Sequence, residues 1–216
     1  MTTGDRCKRV GRVHVLTDVV LQARFSHVEL ARRALAGGAE AVQFREKGGS
    51  TRELIGVARE MAALCRGAGA VFLVNDRVDV ALAAEADGVH LGQSDFPLAL
   101  ARRLLGEHRI IGGSATTLEE ARRCVEEGAD YVGFGPVYPT GSKADAAPAR
   151  GLGLLREVAA AVPVPVVAIG GIGIDNAPDV VRAGAHGVAV ISAVCCQEDP
   201  AEATRRLLEA LEFTTS

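Results

Sequence analysis

The amino-acid sequence predicts an α/β protein in which strands and helices alternate to form one closed barrel over residues 1–216. Three observations predict it. Short apolar stretches alternate with helical patterns along the chain, which is typical of a parallel sheet with helical crossovers. A short segment recurs four times, each time ahead of an apolar stretch. Polar residues follow the apolar stretches, at the end of the strands where such barrels carry their active sites.

The recurring segment accounts for every second strand. It reads "GAEAV" from residue 38, "EADGV" from 85, "GADYV" from 128 and "GAHGV" from 184. Each copy follows a helix-like stretch and leads into a short apolar strand. Gly38, Gly128 and Gly184 suit the left-handed conformation in which many helices end. The repeat therefore predicts strands two, four, six and eight.

The remaining strands lie between the repeats, and each is followed by a helical pattern. They are "VHVLTD" (13–18), "VFLVND" (71–76), "RIIGGS" (109–114) and "PVVAIGG" (165–171). Eight strand–helix units with short loops favour a single (β/α)8 TIM barrel, although the chain is shorter than the roughly 250 residues typical of that fold. An open Rossmann-like sheet is the alternative, but no G-x-G-x-x-G follows the first strand. Residues 1–11 are expected to form a flexible or irregular lead-in.

Composition and charge restrict the class of partner. A net charge of -3 and an aromatic content of 4% argue against a nucleic-acid binder, which would usually show a basic stripe or stacking aromatics. No apolar run approaches the roughly 20 residues that span a bilayer, and no secretory signal opens the chain. The five cysteines form no C-x-x-C pair, so we expect reduced thiols and a cytoplasmic protein.

Polar side chains gather at the carboxyl ends of the predicted strands. In "AVQFREKGG" (41–49), Gln43, Arg45 and Lys47 share one face because strand side chains alternate. We expect these three to line the mouth of the barrel rather than its interior. The later strands add Asn75 and Asp76, then His90, Gln93 and Asp95, then Ser114, then Thr140, Ser142 and Lys143, then Gly170 and Gly171, and finally Ser192.

Several of these residues also have a purely structural interpretation. Asn75 or Asp76 could cap the helix expected from Arg77, and Ser114 or Thr117 could cap the next helix in the same way. His90 is more readily interpreted as a hydrogen-bonded core histidine than as a catalytic one. Capping does not explain why three cations fall on one rim of an anionic protein.

The charged residues suit a phosphate-bearing ligand. Arg45, Lys47 and Lys143 form an anion site, since Arg offers a fork and Lys a point charge to phosphate oxygens. Asp76 and Asp95 suit such a site if Mg²⁺ lies between carboxylates and phosphates. The glycines after strand seven and "VISA" after strand eight predict a second phosphate site. Two phosphorylated ligands in one mouth indicate group transfer with diphosphate leaving.

Longer motifs add a resemblance. "VQFREKG", "VNDRVDVALAAEADGVHLGQSD", "GADYVGFGPVYPTGSKAD", "AIGGI" and "VISAV" resemble the thiamine-phosphate synthase family over about residues 13 to 212. The resemblance implies transfer of a pyrimidine methyl group from its diphosphate to the nitrogen of a thiazole phosphate, through a dissociative carbocation. It implies that the pyrimidine diphosphate is bound by Gln43, Arg45, Lys47, Asn75, Ser114 and Lys143. It implies that the metal is bound by Asp76 and Asp95. It implies that the thiazole phosphate is bound by Thr140, Ser142, Gly171, Ile191 and Ser192.

The chain departs from the family pattern at two positions. The loop after strand five reads "SATT", with Thr116 where the family commonly has histidine, and the strand-six loop has Ser142 where threonine is usual. The alternative function is a thiazole tautomerase of the same barrel family. Those enzymes resemble the synthases but use a histidine in the strand-five loop and tend to lose the diphosphate-binding set, so both features favour the synthase. A third hypothesis, a non-catalytic sensor of the same ligands, has no specific support in the sequence.

Overall fold

Parallel strands close into a barrel in sequence order, with β8 pairing back to β1. The computed structural model describes residues 10–142 and 147–212. Within them the strands are β1 (Val13–Thr17), β2 (Ala41–Phe44), β3 (Val71–Asn75), β4 (Gly88–Leu91), β5 (Ile110–Ala115), β6 (Tyr131–Phe134), β7 (Val166–Ile169) and β8 (Gly187–Val190). The predicted (β/α)8 barrel is therefore confirmed, and the open sheet is excluded.

Helices follow the strands and cover the outside of the barrel. They are α1 (His27–Ala36), α2 (Thr51–Ala68), α3 (Val78–Ala83), α4 (Leu98–Leu105), α5 (Leu118–Glu126), α6 (Gly151–Ala161), α7 (Ala177–Arg182), α8 (Ser192–Cys195) and α9 (Pro200–Glu212). Local sequence sets their ends. At α2, for example, Ser50 and Glu53 form a reciprocal capping box at the start, and Gly69 ends the helix with φ of 70°. In the described part of the chain, no helix has the length and apolarity needed to cross a membrane.

The sequence repeat corresponds to a repeated backbone conformation. Gly38, Gly128 and Gly184 adopt φ values of 93°, 92° and 101°, as predicted. In the fourth copy, Glu85 takes the glycine's position and also adopts a positive φ, 54°. The left-handed step between helix and strand is thus kept even where the side chain disfavours it.

Alternation along the strands divides the apolar residues into two layers. Val42 and Phe44 of β2 point outward into the large core between the barrel and its helices. A smaller cluster fills the inside of the barrel and consists of Val10, Leu16, Leu73, Ile110, Tyr131, Val167, Ala189 and Ile191. Val10 belongs to the lead-in expected over residues 1–11. Residues 1–9 of that lead-in lie outside the described residues. The two layers leave the carboxyl-end rim as the open end of the barrel.

A buried histidine stands among the interior residues. His14 on β1 is 1% exposed, and its Nε2 atom has no hydrogen-bond partner among the described residues. Burial lowers the pKa of His14 from its ordinary value to about 4. The imidazole is therefore neutral in the folded protein at physiological pH.

The four repeat positions generate a test of the fold. We expect Gly128→Ala to lower the free energy of unfolding by about 1–2 kcal/mol, because an L residue disfavours positive φ. No heavy atom lies within 4 Å of the added methyl group, so backbone conformation is the main cause. The matched change Glu85→Gly is expected to raise the free energy of unfolding by up to about 1 kcal/mol. Urea denaturation of both variants checks this, and a stabilising Gly128→Ala would contradict it.

The neutral buried histidine predicts sensitivity to acid. Between about pH 6.5 and pH 4, the unfolded chain protonates His14 while the folded chain does not, so stability falls as pH falls. The slope from this one group approaches about 1.4 kcal/mol per pH unit. The neutral variant His14→Asn should lose less stability than the parent between pH 7 and pH 4.5 in urea titrations. His108→Asn, at an exposed position, is the control, and equal losses in parent and His14→Asn would contradict the prediction.

Candidate active site

A cavity of about 380 Å³ opens at the carboxyl ends of the strands. Its size suits a small-molecule site. Eleven of the thirteen site residues predicted from sequence line it, namely Arg45, Lys47, Asn75, Asp76, Asp95, Ser114, Thr140, Ser142, Gly171, Ile191 and Ser192. Lys143 lies outside the described residues. The predicted cationic, acidic and hydroxyl groups thus converge on one cavity.

Gln43 lies deeper than the sequence suggested. It is 3% exposed and borders a small interior cavity of about 30 Å³, together with His14, Asn75, His90 and Tyr131. The expectation that it lines the mouth was wrong, because Gln43 is inside β2 whereas Arg45 and Lys47 lie beyond the end of that strand. Its Oε1 atom is buried without a hydrogen-bond partner among the described residues. Gln43 therefore offers an acceptor beneath the main cavity.

Two carboxylates face one another across the ends of neighbouring strands. Asp76 follows β3 directly and adopts a positive φ of 64°, with its N–H donating to the His90 carbonyl at 2.8 Å. Asp95 follows β4, and its Oδ2 accepts the Gly92 N–H at 2.7 Å. Burial, followed by a hydrogen bond with Asp76 and repulsion from it, raises the pKa of Asp95. The strained backbone at Asp76 and the costly pairing of two acids are both typical of functional sites.

The structure describes two of the three predicted site cations, Arg45 and Lys47, and each pairs with a carboxylate. The Lys47 ammonium contacts Asp76 and remains 59% exposed, so it is free to reorient. The Arg45 guanidinium contacts Asp18, and both side chains are largely buried, at 12% and 3% exposure. Lys47 is therefore an exposed charge at the rim, whereas Arg45 is largely buried against its partner.

The capping interpretation fails for three of the four residues that it involved. Helix α3 begins after Arg77 without a side-chain capping bond, so neither Asn75 nor Asp76 caps it. Thr117 does cap α5, since its hydroxyl accepts the Glu120 N–H at 3.1 Å. Ser114 instead contacts the ring of a histidine. Asn75, Asp76 and Ser114 are thus left without a capping role.

His90 is hydrogen-bonded, as the sequence suggested, but it is partly rather than fully buried. Its Nδ1 lies 2.8 Å from the Tyr131 hydroxyl, and its Nε2 lies 2.9 Å from Ser114 Oγ. The Tyr131 ring stacks on the imidazole with a centroid distance of 5.4 Å. Both ring nitrogens are engaged, so His90 orients Ser114 rather than offering a free base.

Hydroxyl groups and glycines line the opposite side of the cavity. Thr140 Oγ1 accepts the Ser142 N–H at 3.2 Å, and Ser142 Oγ lies 3.4 Å from Ser192 Oγ at the start of α8. Gly170 and Gly171 adopt positive φ values of 98° and 64°. A Cβ at either position would also approach the strand-six loop within about 2.5 Å, closer than side chains tolerate. These glycines therefore allow two loops to meet at the cavity wall.

Thr116, which replaces the family's usual histidine, has a local structural role. Its N–H and hydroxyl donate to the Glu120 carboxylate at 2.6 and 2.9 Å. Arg150 Nη2 approaches the same hydroxyl at 3.3 Å. Thr116 lines the cavity but offers no proton-transfer group.

No all-protein metal site is present in the part of the chain that the structure describes. A cluster of three or more His, Cys, Asp or Glu side chains is absent there. The Asp76–Asp95 pair provides two carboxylate ligands, which suits a cation completed by substrate oxygens.

Two residues beside the site escaped the sequence analysis. Asp18 directly follows β1. It was not among the predicted site residues, although it lies on the same rim of the barrel as they do. Tyr131 occupies a repeat position and reads as an ordinary core aromatic, yet it contacts His90. Position on the rim could have identified Asp18; no local signal identifies Tyr131.

Known proteins resemble this chain over most of its length. A family model described as thiamine monophosphate synthase matches residues 14–194. A thiamine-phosphate synthase of Methanocella arvoryzae is 57% identical over 195 residues, covering 90% of this chain and 92% of that protein. A thiamine-phosphate synthase of Methanospirillum hungatei is 50% identical over 199 residues, covering 92% of this chain and 97% of that protein.

A solved structure matches as well. Thiamine phosphate pyrophosphorylase from Pyrococcus furiosus superposes with a TM-score of 0.89 at 44% identity, covering 98% of this chain and 99% of that one. More distant barrels near 16% identity, such as a phosphoribosylanthranilate isomerase with a TM-score of 0.64, share the fold alone.

The opposed carboxylates generate a prediction about stability. Because the pKa of Asp95 is raised in the folded protein, its ionised form destabilises the fold at neutral pH. We expect Asp95→Asn to raise the free energy of unfolding at pH 7 without added metal, since the amide keeps an acceptor for the Gly92 N–H. The advantage should shrink as pH falls and Asp95 of the parent gains its proton. Thermal denaturation across pH measures it, and a variant less stable than the parent at pH 7 would show that the acids do not repel.

Proposed function

This chain belongs to the thiamine monophosphate synthase family, and we propose that it transfers a pyrimidinylmethyl group. That group is a 4-amino-2-methylpyrimidine ring with its methylene carbon, and it passes from diphosphate to the nitrogen of a thiazole phosphate. Diphosphate leaves and thiamine phosphate forms. The observation that carries the proposal is the convergence of Arg45, Lys47, Asp76 and Asp95 on one cavity. Cations and paired acids suit a ligand that is both a diphosphate and a metal chelator.

Mg²⁺ is the proposed cofactor, with Asp76 and Asp95 as its protein ligands. The donor set fits, because two hard oxygen ligands beside a phosphate site suit this ion. Burial, and after it the interaction with Asp76, raises the pKa of Asp95, and a cation between the two acids would relieve their repulsion. When bound, the ion would neutralise charge that develops on the leaving diphosphate.

Arg45, Lys47 and Lys143 are the proposed ligands of the diphosphate. Arg45 is held beside the cavity and can present its fork to two oxygens. Lys47 pairs with Asp76 and is exposed enough to turn toward a phosphate. The role of Lys143 rests on the sequence pattern.

The pyrimidine ring is proposed to enter the deep part of the cavity. Gln43, Asn75 and Ser114 border the small interior cavity there. The unpartnered Oε1 of Gln43 is an acceptor that suits the exocyclic amine of an aminopyrimidine. The cost of leaving that buried oxygen unpaired favours a ligand with a donor at this point.

The thiazole phosphate is proposed to bind the opposite wall. Thr140, Ser142 and Ser192 supply hydroxyl donors, and the backbone at Gly171 and Ile191 lines the same wall. Ser192 follows the end of β8, and its hydroxyl lies 3.4 Å from the Ser142 hydroxyl on the same wall. The two phosphates thus bind on separate walls of one cavity.

The proposed reaction is dissociative. The bond between the pyrimidine methylene carbon and the diphosphate oxygen breaks first, and its electron pair leaves with diphosphate. The thiazole nitrogen then donates its lone pair to the methylene cation. No proton is removed from the nucleophile, which agrees with a site whose histidine, His90, has both ring nitrogens engaged. Preorganised positive charge on the leaving group supplies the main catalytic effect.

A direct assay tests the function. Purified protein with both phosphorylated precursors and Mg²⁺ should release thiamine phosphate and diphosphate in equal amounts, and chelation of the metal should stop the reaction. A folded protein that forms no product would reject the proposal. Isomerisation of a thiazole carboxylate without metal, the tautomerase reaction, is the comparison assay and is expected to show no turnover.

Lys143→Ala tests the leaving-group site separately. We expect it to leave the thermal midpoint unchanged and to reduce kcat/KM for the pyrimidine diphosphate on the order of 10² to 10³, as for other deletions of a charge-stabilising donor. Arg156→Ala, which removes an exposed cation from α6, is the matched control and should keep the parent rate. A near-parental rate in Lys143→Ala would remove Lys143 from the site.

A further inference from the structure

The contact between Arg45 and Asp18 is largely buried, whereas the one between Lys47 and Asp76 is exposed on the lysine side. We propose that Asp18 is a positioning residue that holds Arg45 in the orientation needed to bind diphosphate. The inference rests on the proposed function of Arg45 as a diphosphate ligand. Asp18 is not among the residues that line the main cavity, so it acts through Arg45 rather than on the substrate.

Backbone pairing brings the two residues together. Strands β1 and β2 pair in parallel with Thr17 opposite Phe44. Asp18 and Arg45 each follow those residues by one position, at adjacent strand ends. A rigid sheet therefore fixes the distance between the two Cα atoms, and the side chains meet without a flexible loop between them.

The two oxygens of Asp18 have different partners. Oδ1 accepts the backbone N–H groups of Val20 and Leu21 at 2.9 and 3.0 Å, which anchors the carboxylate to the turn after β1. Oδ2 accepts from Nη1 of Arg45. The carboxyl group, at 3% exposure, is thus fixed by the backbone before it contacts the arginine.

Among the residues that the structure describes, Asp18 is the hydrogen-bond partner that orients the Arg45 side chain. Its Nε is buried and has no partner among the described residues, and Asp18 is the carboxylate that it contacts there. A guanidinium carries five N–H donors in one plane, so fixing one nitrogen sets the direction of the others. With Nη1 engaged by Asp18, donors remain for phosphate oxygens in the cavity that Arg45 lines.

Lys47 provides the contrast. Its partner Asp76 itself lines the cavity and is a proposed metal ligand, so that pair is expected to separate when substrate binds. Asp18 lies outside the cavity and keeps its contact with Arg45 throughout. One cation of the site is therefore preorganised, which lowers the entropic cost of ordering it at the moment of binding.

A double-mutant cycle tests the inference. Asp18→Asn keeps an oxygen acceptor for the Val20 and Leu21 N–H groups but replaces the oxygen facing Arg45 with a donor. Arg45→Gln removes the guanidinium. The two single variants, the double variant and the parent are compared by KM for the pyrimidine diphosphate, by KM for the thiazole phosphate, and by calorimetric binding of inorganic diphosphate with Mg²⁺.

Asp130→Asn is the matched control. Asp130 also forms a largely buried ion pair, with Arg102 at 2.5 Å, and also accepts a backbone N–H, from Ile111 at 2.9 Å. It precedes β6 and therefore lies at the opposite end of the barrel. We expect this variant to lose thermal stability while its KM values stay at those of the parent.

The expected result separates positioning from general destabilisation. Asp18→Asn should raise KM for the pyrimidine diphosphate and weaken inorganic diphosphate binding on the order of 10- to 100-fold, the range seen when partners that orient site residues are removed. KM for the thiazole phosphate should not change. In the Arg45→Gln background, Asp18→Asn should have no further effect on diphosphate binding.

Any other outcome overturns the inference, and the double-mutant cycle shows whether the proposed role of Arg45 or only that of Asp18 fails. If Arg45→Gln leaves diphosphate binding at the parental value, the proposed role of Arg45 fails and the inference falls with it. If Arg45→Gln weakens binding but Asp18→Asn costs the same in both backgrounds, only the inference fails. If Asp18→Asn does not fold, Asp18→Ser replaces it, because serine keeps a small acceptor for the turn. If neither variant folds, Asp18 serves stability alone and the inference is wrong.

Discussion

The parallel register of the barrel is the constraint on which the site depends. Hydrogen bonding between neighbouring strands, closed by the pairing of β8 with β1, requires all carboxyl ends to meet at one rim. Residues far apart in sequence, such as Arg45 and Ser192, then line the same cavity. Left-handed steps, including the one at Glu85, lie between the preceding helices and four of these strands. The site is thus a consequence of strand geometry before it is one of side-chain chemistry.

Charge at the rim is balanced in pairs. Lys47 contacts Asp76, Arg45 contacts Asp18, and Asp95 lies against Asp76 with a raised pKa. The pairs differ in burial, and burial determines their behaviour, since an exposed pair exchanges partners at little cost and a buried one does not. One wall therefore combines a buried cation, an exposed cation and a pair of acids.

The sequence predicted the fold more completely than the site. Strand positions followed from the repeat and from short apolar runs, because both depend on local periodicity. Gln43 was placed too far out, since alternation gives the face of a residue but not its depth in the barrel. Asp18 was missed because its importance comes from a contact across two strands. Capping was a wrong alternative for Asn75 and Asp76, since α3 begins at Val78 without a side-chain cap.

The pairing of Lys47 with Asp76 has a consequence for how ligands assemble in the proposed site. A divalent ion arriving alone would meet an acid already shielded by an ammonium group, and a polyanion arriving alone would release that acid without screening it. Binding of the anion would draw Lys47 away from Asp76, and binding of the ion would then screen the Asp76 carboxylate. In the proposed site, linkage would make the two associations reinforce one another by the same factor in either order, which is the condition for cooperative binding of ion and anion.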